Sequence, residues 1–161
     1  MWHGATIGYD GMVIRANGKG PHSSGLILCE RVLQDLVNRD AVTCVNIFNG
    51  LSAQSFPMLM PVAYAFAQVT GASGPFEYEY KILDTDGNIV ALSQKSRVEP
   101  QPGTDETTSH KVISAFNGLG FEKEGLYLVI LEIDGVEAAE LPLKVSRIIP
   151  QVVSGQSGGH A

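Results

Sequence analysis

Between Phe76 and Ile82 the side chains alternate without exception. Phe76, Tyr78, Tyr80 and Ile82 are apolar, and Glu77, Glu79 and Lys81 between them are charged. Only a strand throws successive side chains to opposite faces, so this segment is a strand with one dry and one wet face. Such a strand needs neighbours in a sheet and a second layer over its dry face.

The rest of the chain supplies them. Leu26 to Cys29, Ala41 to Phe48, Val62 to Val69, Ile89 to Leu92, Lys111 to Phe116, Gly125 to Ile133 and Val136 to Val145 are short β-prone runs. Turn chemistry separates several of them, at Asn49-Gly50, Asp84-Thr85-Asp86-Gly87 and Asp134-Gly135. Two runs also fit a helix, 31–38 and 62–69. A hairpin turning near Leu36 and Val37 competes with the first helix and is preferred. Pro61 before the second and Gly71 to Pro75 after it favour strand. Phe56-Pro57 and Met60-Pro61 bracket an extended loop, 100–108 reads as an exposed loop, and Gly118 and Gly120 read as loop glycines. Pro142 inside the last run points to a sheet edge or a bulge.

The expected fold is therefore all-β: an antiparallel β-sandwich, immunoglobulin-like or related. An N-terminal β-hairpin extends it, with Ala5 to Tyr9 and Met12 to Arg15 joined at Asp10-Gly11. The chain divides into a glycine-rich extension (1–24), a sandwich (25–146) and a tail rich in Gly, Ser and Gln (147–161). Its 161 residues suit one domain with a real core.

Charge narrows the function. Seventeen acids against eleven bases give a net −6, and no Lys/Arg cluster stands out, which argues against a nucleic-acid partner. No run approaches the ~18 apolar residues of a membrane helix, and the start lacks a basic region followed by an apolar one. The expectation is a cytoplasmic protein without a membrane partner.

No constellation for chemistry stands out. His3, His22 and His160 fall in presumed linkers or tails, and a base must be held rigidly to serve a nucleophile. An enzyme survives only if the fold brings His110 to an acid and a serine such as Ser109 or Ser114. Asp84-Thr85-Asp86-Gly87-Asn88 has the glycine too early for a calcium loop and reads as a turn. Glu77 with Glu79, and Glu122 with Glu124, read as solvated acids rather than a glycosidase pair. Cys29 and Cys44 would lie opposite one another if their strands pair about Leu36 and Val37. Buried thiols are the plain reading, and a disulfide or a paired-thiol metal site stays open. No cofactor, metal or catalytic residue is assigned.

Tyr127, just after Gly125, has the place of a tyrosine corner, whose hydroxyl bonds upstream backbone. Its strand is more informative. Tyr127, Val129, Leu131 and Ile133 make one apolar face, and Leu126, Leu128 and Ile130 make another. A strand apolar on both faces should be covered on both. The candidate covers are the N-terminal hairpin (Ile7, Tyr9, Met12, Ile14), the C-terminal segment (Ile149, Val152) and another subunit. The leading expectation is a non-enzymatic interaction or assembly protein, a homo-oligomer whose termini dock on neighbouring subunits. A small-molecule or carbohydrate binding module is the alternative, with loops 49–61 and 99–108 at one end. A hydrolase is the remote one.

Leu28-Cys29-Glu30, Val45-Asn46-Ile47-Phe48 leading to Phe56-Pro57, Ile82-Leu83-Asp84 with Asp86-Gly87, Gly125-Leu126-Tyr127, and Asp134-Gly135 before Pro142-Leu143-Lys144-Val145 together resemble a family of short bacterial proteins of unknown function. The resemblance spans 28–145, implies a β-sandwich and brings no activity.

Overall fold

The structure, a computed structural model, describes residues 20–38 and 40–149. The N-terminal hairpin and the tail beyond Ile149 lie outside the described residues, and with them Ile7, Tyr9, Met12, Ile14 and Val152.

Among the described residues ten strands follow in chain order: β1 (His22–Gln34), β2 (Val42–Phe48), β3 (Gly50–Ala53), β4 (Met58–Thr70), β5 (Phe76–Leu83), β6 (Ile89–Leu92), β7 (Ser96–Val98), β8 (His110–Phe121), β9 (Gly125–Ile133) and β10 (Val136–Arg147). They form two sheets. The four-stranded sheet has the order β2-β1-β4-β8, and the six-stranded sheet β3-β10-β9-β5-β6, with β7 also on β5. The all-β sandwich expected from the sequence is the fold observed. One pairing departs from antiparallel: β3 runs parallel to β10.

The alternating segment is β5, and Phe76, Tyr78, Tyr80 and Ile82 are all buried. They share one core with Ala63, Ala65, Ala67 and Val69 of β4 and with Val129, Leu131 and Ile133 of β9. The β4 alanines are completely buried. Their small side chains leave room in the shared core for large aromatics, so the size pattern along both strands is complementary.

Local chemistry sets the turns. Asp134 (φ 50°) and Gly135 (φ 75°) both take left-handed backbone in the β9–β10 hairpin, as a two-residue turn of this twist requires. At the β1–β2 turn, Asp35 Oδ1 accepts the N–H groups of Val37 and Asn38, both at 2.7 Å. Segment 31–38 is therefore strand and turn, as the hairpin reading has it. Asp84 Oδ1 accepts the N–H groups of Asp86 and Asn88, both at 2.9 Å, so the acidic loop is a turn stitched by its own first residue. Pro142 lies in β10 opposite Leu128, before the stretch from Lys144 to Arg147 that pairs with β3. Its missing N–H falls where β10 is an edge.

Several sequence expectations are corrected. Met60-Pro61 lies inside β4 rather than in a loop. Gly118 and Gly120 lie inside β8, which runs on to Phe121, and Gly118 takes φ 70°. That conformation falls opposite Pro61, which has no N–H to give. Cys29 stands opposite Ile47, and Cys44 opposite Val32, so the two cysteines are offset in register rather than directly opposite, although their free thiols still interact.

Candidate interaction surface

Registers across β10, β9, β5 and β6 define the outer face of the six-stranded sheet row by row. Leu128 stands between Pro142 and Leu83, and Leu83 pairs in turn with Ile89. Ile130 stands between Glu140 and Lys81, and Lys81 pairs with Leu92. Leu126 stands beside Lys144. These residues share one face because side-chain direction has period two and the rows lie in register.

The result is an apolar patch on an outer surface. Leu126 is 53% exposed, Ile89 57% and Leu92 53%, with Leu128 and Leu83 half-buried. Among the described residues the second face of β9 is therefore only partly covered, and the covers expected for it lie outside those residues. Ile130 is buried. It lies beside Lys81, whose stem crosses the face to reach Glu132 at 2.7 Å and Glu79 at 3.7 Å. A lysine stem can shield apolar surface while its ammonium stays wet, which accounts for a buried Ile130 on an open face. The hydrogen bond to Glu132 is the first cause that holds the Lys81 ammonium above its ordinary range.

Charge rims the patch. Glu79, Glu132 and Glu137 lie along one side, with Lys144 and Glu140 beside Leu126 and Ile130. Burial first, then Glu140 and Glu132, push the Glu137 carboxyl up.

The C-terminal candidate lies at the same end as Leu126. Val145 pairs with Gly125, and the Arg147 N–H donates to Glu124 Oε2 at 3.1 Å. The Arg147 guanidinium sits 5.3 Å from the centre of the Phe56 ring. Ile149 follows at 80% exposure. The structure thus brings Leu126 and Leu128 into one patch, buries Ile130 beneath Lys81 and leaves Ile149 nearby. Sequence reasoning missed Leu83, Ile89 and Leu92. The run from Ile89 to Leu92 carried the signal, but its register shift against β5 between Ile82 and Leu83 hides which face each residue takes. It also missed Leu36 and Val37, exposed at 94% and 96% on the β1–β2 turn.

Other candidates do not converge. Loop 99–108 reaches the Thr70 end of β4, where the Gly71 N–H donates to the Glu106 carbonyl at 2.8 Å. The expected loop 49–61 holds β3 and the start of β4, and its remainder lies at the opposite end of β4, near Phe56 and Arg147. These loops do not form one site. His110 packs edge-on against Phe76 at 5.8 Å, and its buried Nε2 has no hydrogen-bond partner among the described residues. Ser109 Oγ turns instead to Gln68 at 3.4 Å. Cys29 is fully buried, and burial first, then Cys44, push its thiol up to about 11.

Fold and surface define a two-sheet β-sandwich domain with an apolar outer patch. Residues 24–146 match the model of DUF6941, a family of unknown function, and the chain belongs to that family. No curated protein matches the chain. Among solved structures, a glycosyl hydrolase family 2 member from Bacteroides cellulosilyticus DSM 14838 is similar at 16% identity and a TM-score of 0.39, over 61% of this chain. The chain spans only 15% of that protein's length. Among the described residues, no helix is long and apolar enough to cross a membrane.

Proposed function

We propose that the protein is a non-enzymatic assembly module that pairs with a second copy of itself through the outer face of its six-stranded sheet, with its terminal segments docking on the neighbouring subunit. The observation that carries this reading is the apolar patch of Leu126, Leu128, Leu83, Ile89 and Leu92, more than half exposed at three of its positions. Contiguous apolar surface with a charged rim is the anatomy of an interface.

The rim favours a second copy. It carries lysines (Lys81, Lys144) and glutamates (Glu79, Glu132, Glu140) around one patch, so a two-fold partner can set unlike charges against each other. Leu126→Asp together with Leu92→Asp tests the reading. Both side chains are exposed, so the fold tolerates the change while the apolar contact is lost. The variant should sediment at lower mass than the wild-type chain with unchanged circular dichroism. Equal masses would contradict the proposal.

A further inference from the structure

The β1–β2 hairpin outruns the sheet that carries it. β1 pairs with β4 from His22 to Cys29, whereas Arg31 to Gln34 have their partners in β2, at Val45 to Val42. This arm ends in apolar side chains. Leu33 is 53% exposed, and Leu36 and Val37 on the turn stand almost wholly in solvent. The turn is nevertheless built. Besides the bonds to the Asp35 carboxylate, the Asp35 N–H donates to the Ala41 carbonyl at 3.1 Å and the Ala41 N–H to the Asn38 carbonyl at 2.9 Å. A bare two-stranded hairpin is marginal in water, so an arm held in shape with its apolar end outward points to a contact.

β2 is also the outer strand of the four-stranded sheet. Its stretch Val42-Thr43-Cys44-Val45 has no charged residue and no proline, the features that keep sheet edges apart. Among the described residues the other edges are engaged or short. Ile113 on β8 has its N–H and C=O on the Tyr78 hydroxyl, and β3, β6 and β7 are brief. The regular edge of β2 ends at Asn46, which takes φ 53° and whose Nδ2 donates to Glu30 Oε2 at 2.7 Å. Just past it opens an uncharged groove of about 350 Å3, lined by Ile27, Ile47, Phe48, Asn49 and Leu141.

We propose that two copies of the chain join along β2, antiparallel, with Val42 of one opposite Val45 of the other, and that each copy's Leu36–Val37 turn docks in the other copy's groove. A two-fold axis sets an edge against its own reverse, so one strand supplies donors and acceptors that match itself. The register places the turn. Counting back from Val42 to Val37 and on from Val45 to Asn49 covers nearly the same length, so the turn of one copy comes level with Phe48 and Asn49 of the other. Leu36 and Val37 then meet walls without charge. This contact is separate from the outer face of the six-stranded sheet and adds to the pairing proposed there. It is small, Val42–Val45 and one turn from each copy, so it forms at concentrations on the order of 100 μM rather than at micromolar ones.

Cross-linking tests this. Within one chain the whole of β2 separates Val37 from Asn49, about 20 Å of strand, and a disulfide needs Cα atoms within about 7 Å. A bond between cysteines at these positions therefore joins two chains. Val37→Cys with Asn49→Cys, oxidised by diamide at about 100 μM, should give a two-chain species at least about tenfold faster than either single variant. Equal rates would overturn the proposal. Sedimentation separates this contact from the sheet-face pairing. The chain carrying Leu126→Asp and Leu92→Asp should reach two chain masses at about 100 μM, and adding Leu36→Asp with Val37→Asp should return it to one. A Leu126 variant that stays at one chain mass there overturns the arm contact and leaves the sheet-face pairing standing. A wild-type chain that first pairs at that same concentration removes the sheet-face pairing and keeps the arm.

Discussion

The Tyr127 hydroxyl donates a 2.8 Å hydrogen bond to the Lys123 carbonyl, while its ring meets Phe121 edge-on at 4.8 Å. The bond closes the β8–β9 connection over itself and fixes where β9 begins. Tyr127→Phe keeps the ring and removes the bond. It should cost about 1 kcal/mol, read as an earlier midpoint in urea at unchanged slope. An unaltered midpoint would show that the corner adds nothing.

Asp134 makes two bonds across to β5. Its N–H donates to the Glu77 carbonyl at 2.9 Å, and its Oδ1 accepts the Glu77 N–H at 2.9 Å. Asp134→Ala loses the side-chain bond and puts a residue less tolerant of φ 50° into the turn. The expected loss is about 1–2 kcal/mol, and Asp134→Asn should recover part of it. Thermal unfolding of the pair checks both statements. A variant with alanine as stable as wild type would contradict them.

The cysteines should differ in reactivity. Cys29 is fully buried with its thiol raised to about 11, and Cys44 is half-buried. A thiol reagent at pH 8 should modify Cys44 in the native protein and reach Cys29 only on unfolding. The raised value also predicts a pH dependence. The unfolded thiol gives up its proton near 9 while the folded thiol still holds it, so the unfolded state binds fewer protons in that window. The contribution to stability is complete below 9 and is lost as pH rises towards 11. Cys29→Ala should flatten this part of the stability profile, and an unchanged slope would count against the assignment.

Much of the fold was legible from local pattern. The alternation of Phe76 to Ile82, the Asp134-Gly135 turn and the corner of Tyr127 are each set by neighbours in sequence, and each is where the pattern puts it. What escaped depended on pairing across the sandwich. β3 is a four-residue strand that exists because β10 offers a parallel edge beyond Pro142. Met60-Pro61 reads as a break, yet it lies in β4 because Gly118 yields opposite it. The apolar character of Leu126 and Leu128 was visible at once. Their continuation to Leu83, Ile89 and Leu92 was not, because register alone joins those residues. Burial of Ile130 under the stem of Lys81 likewise needs the cross-strand pair and not the sequence neighbour.

Sedimentation equilibrium of the 161-residue chain reads the proposed self-association through the face that carries Leu126. A species of twice the 17.2 kDa chain mass is expected at micromolar concentration, shifted to a single chain mass by Leu126→Asp with Leu92→Asp. A wild-type chain that stays at 17.2 kDa throughout that range would contradict it.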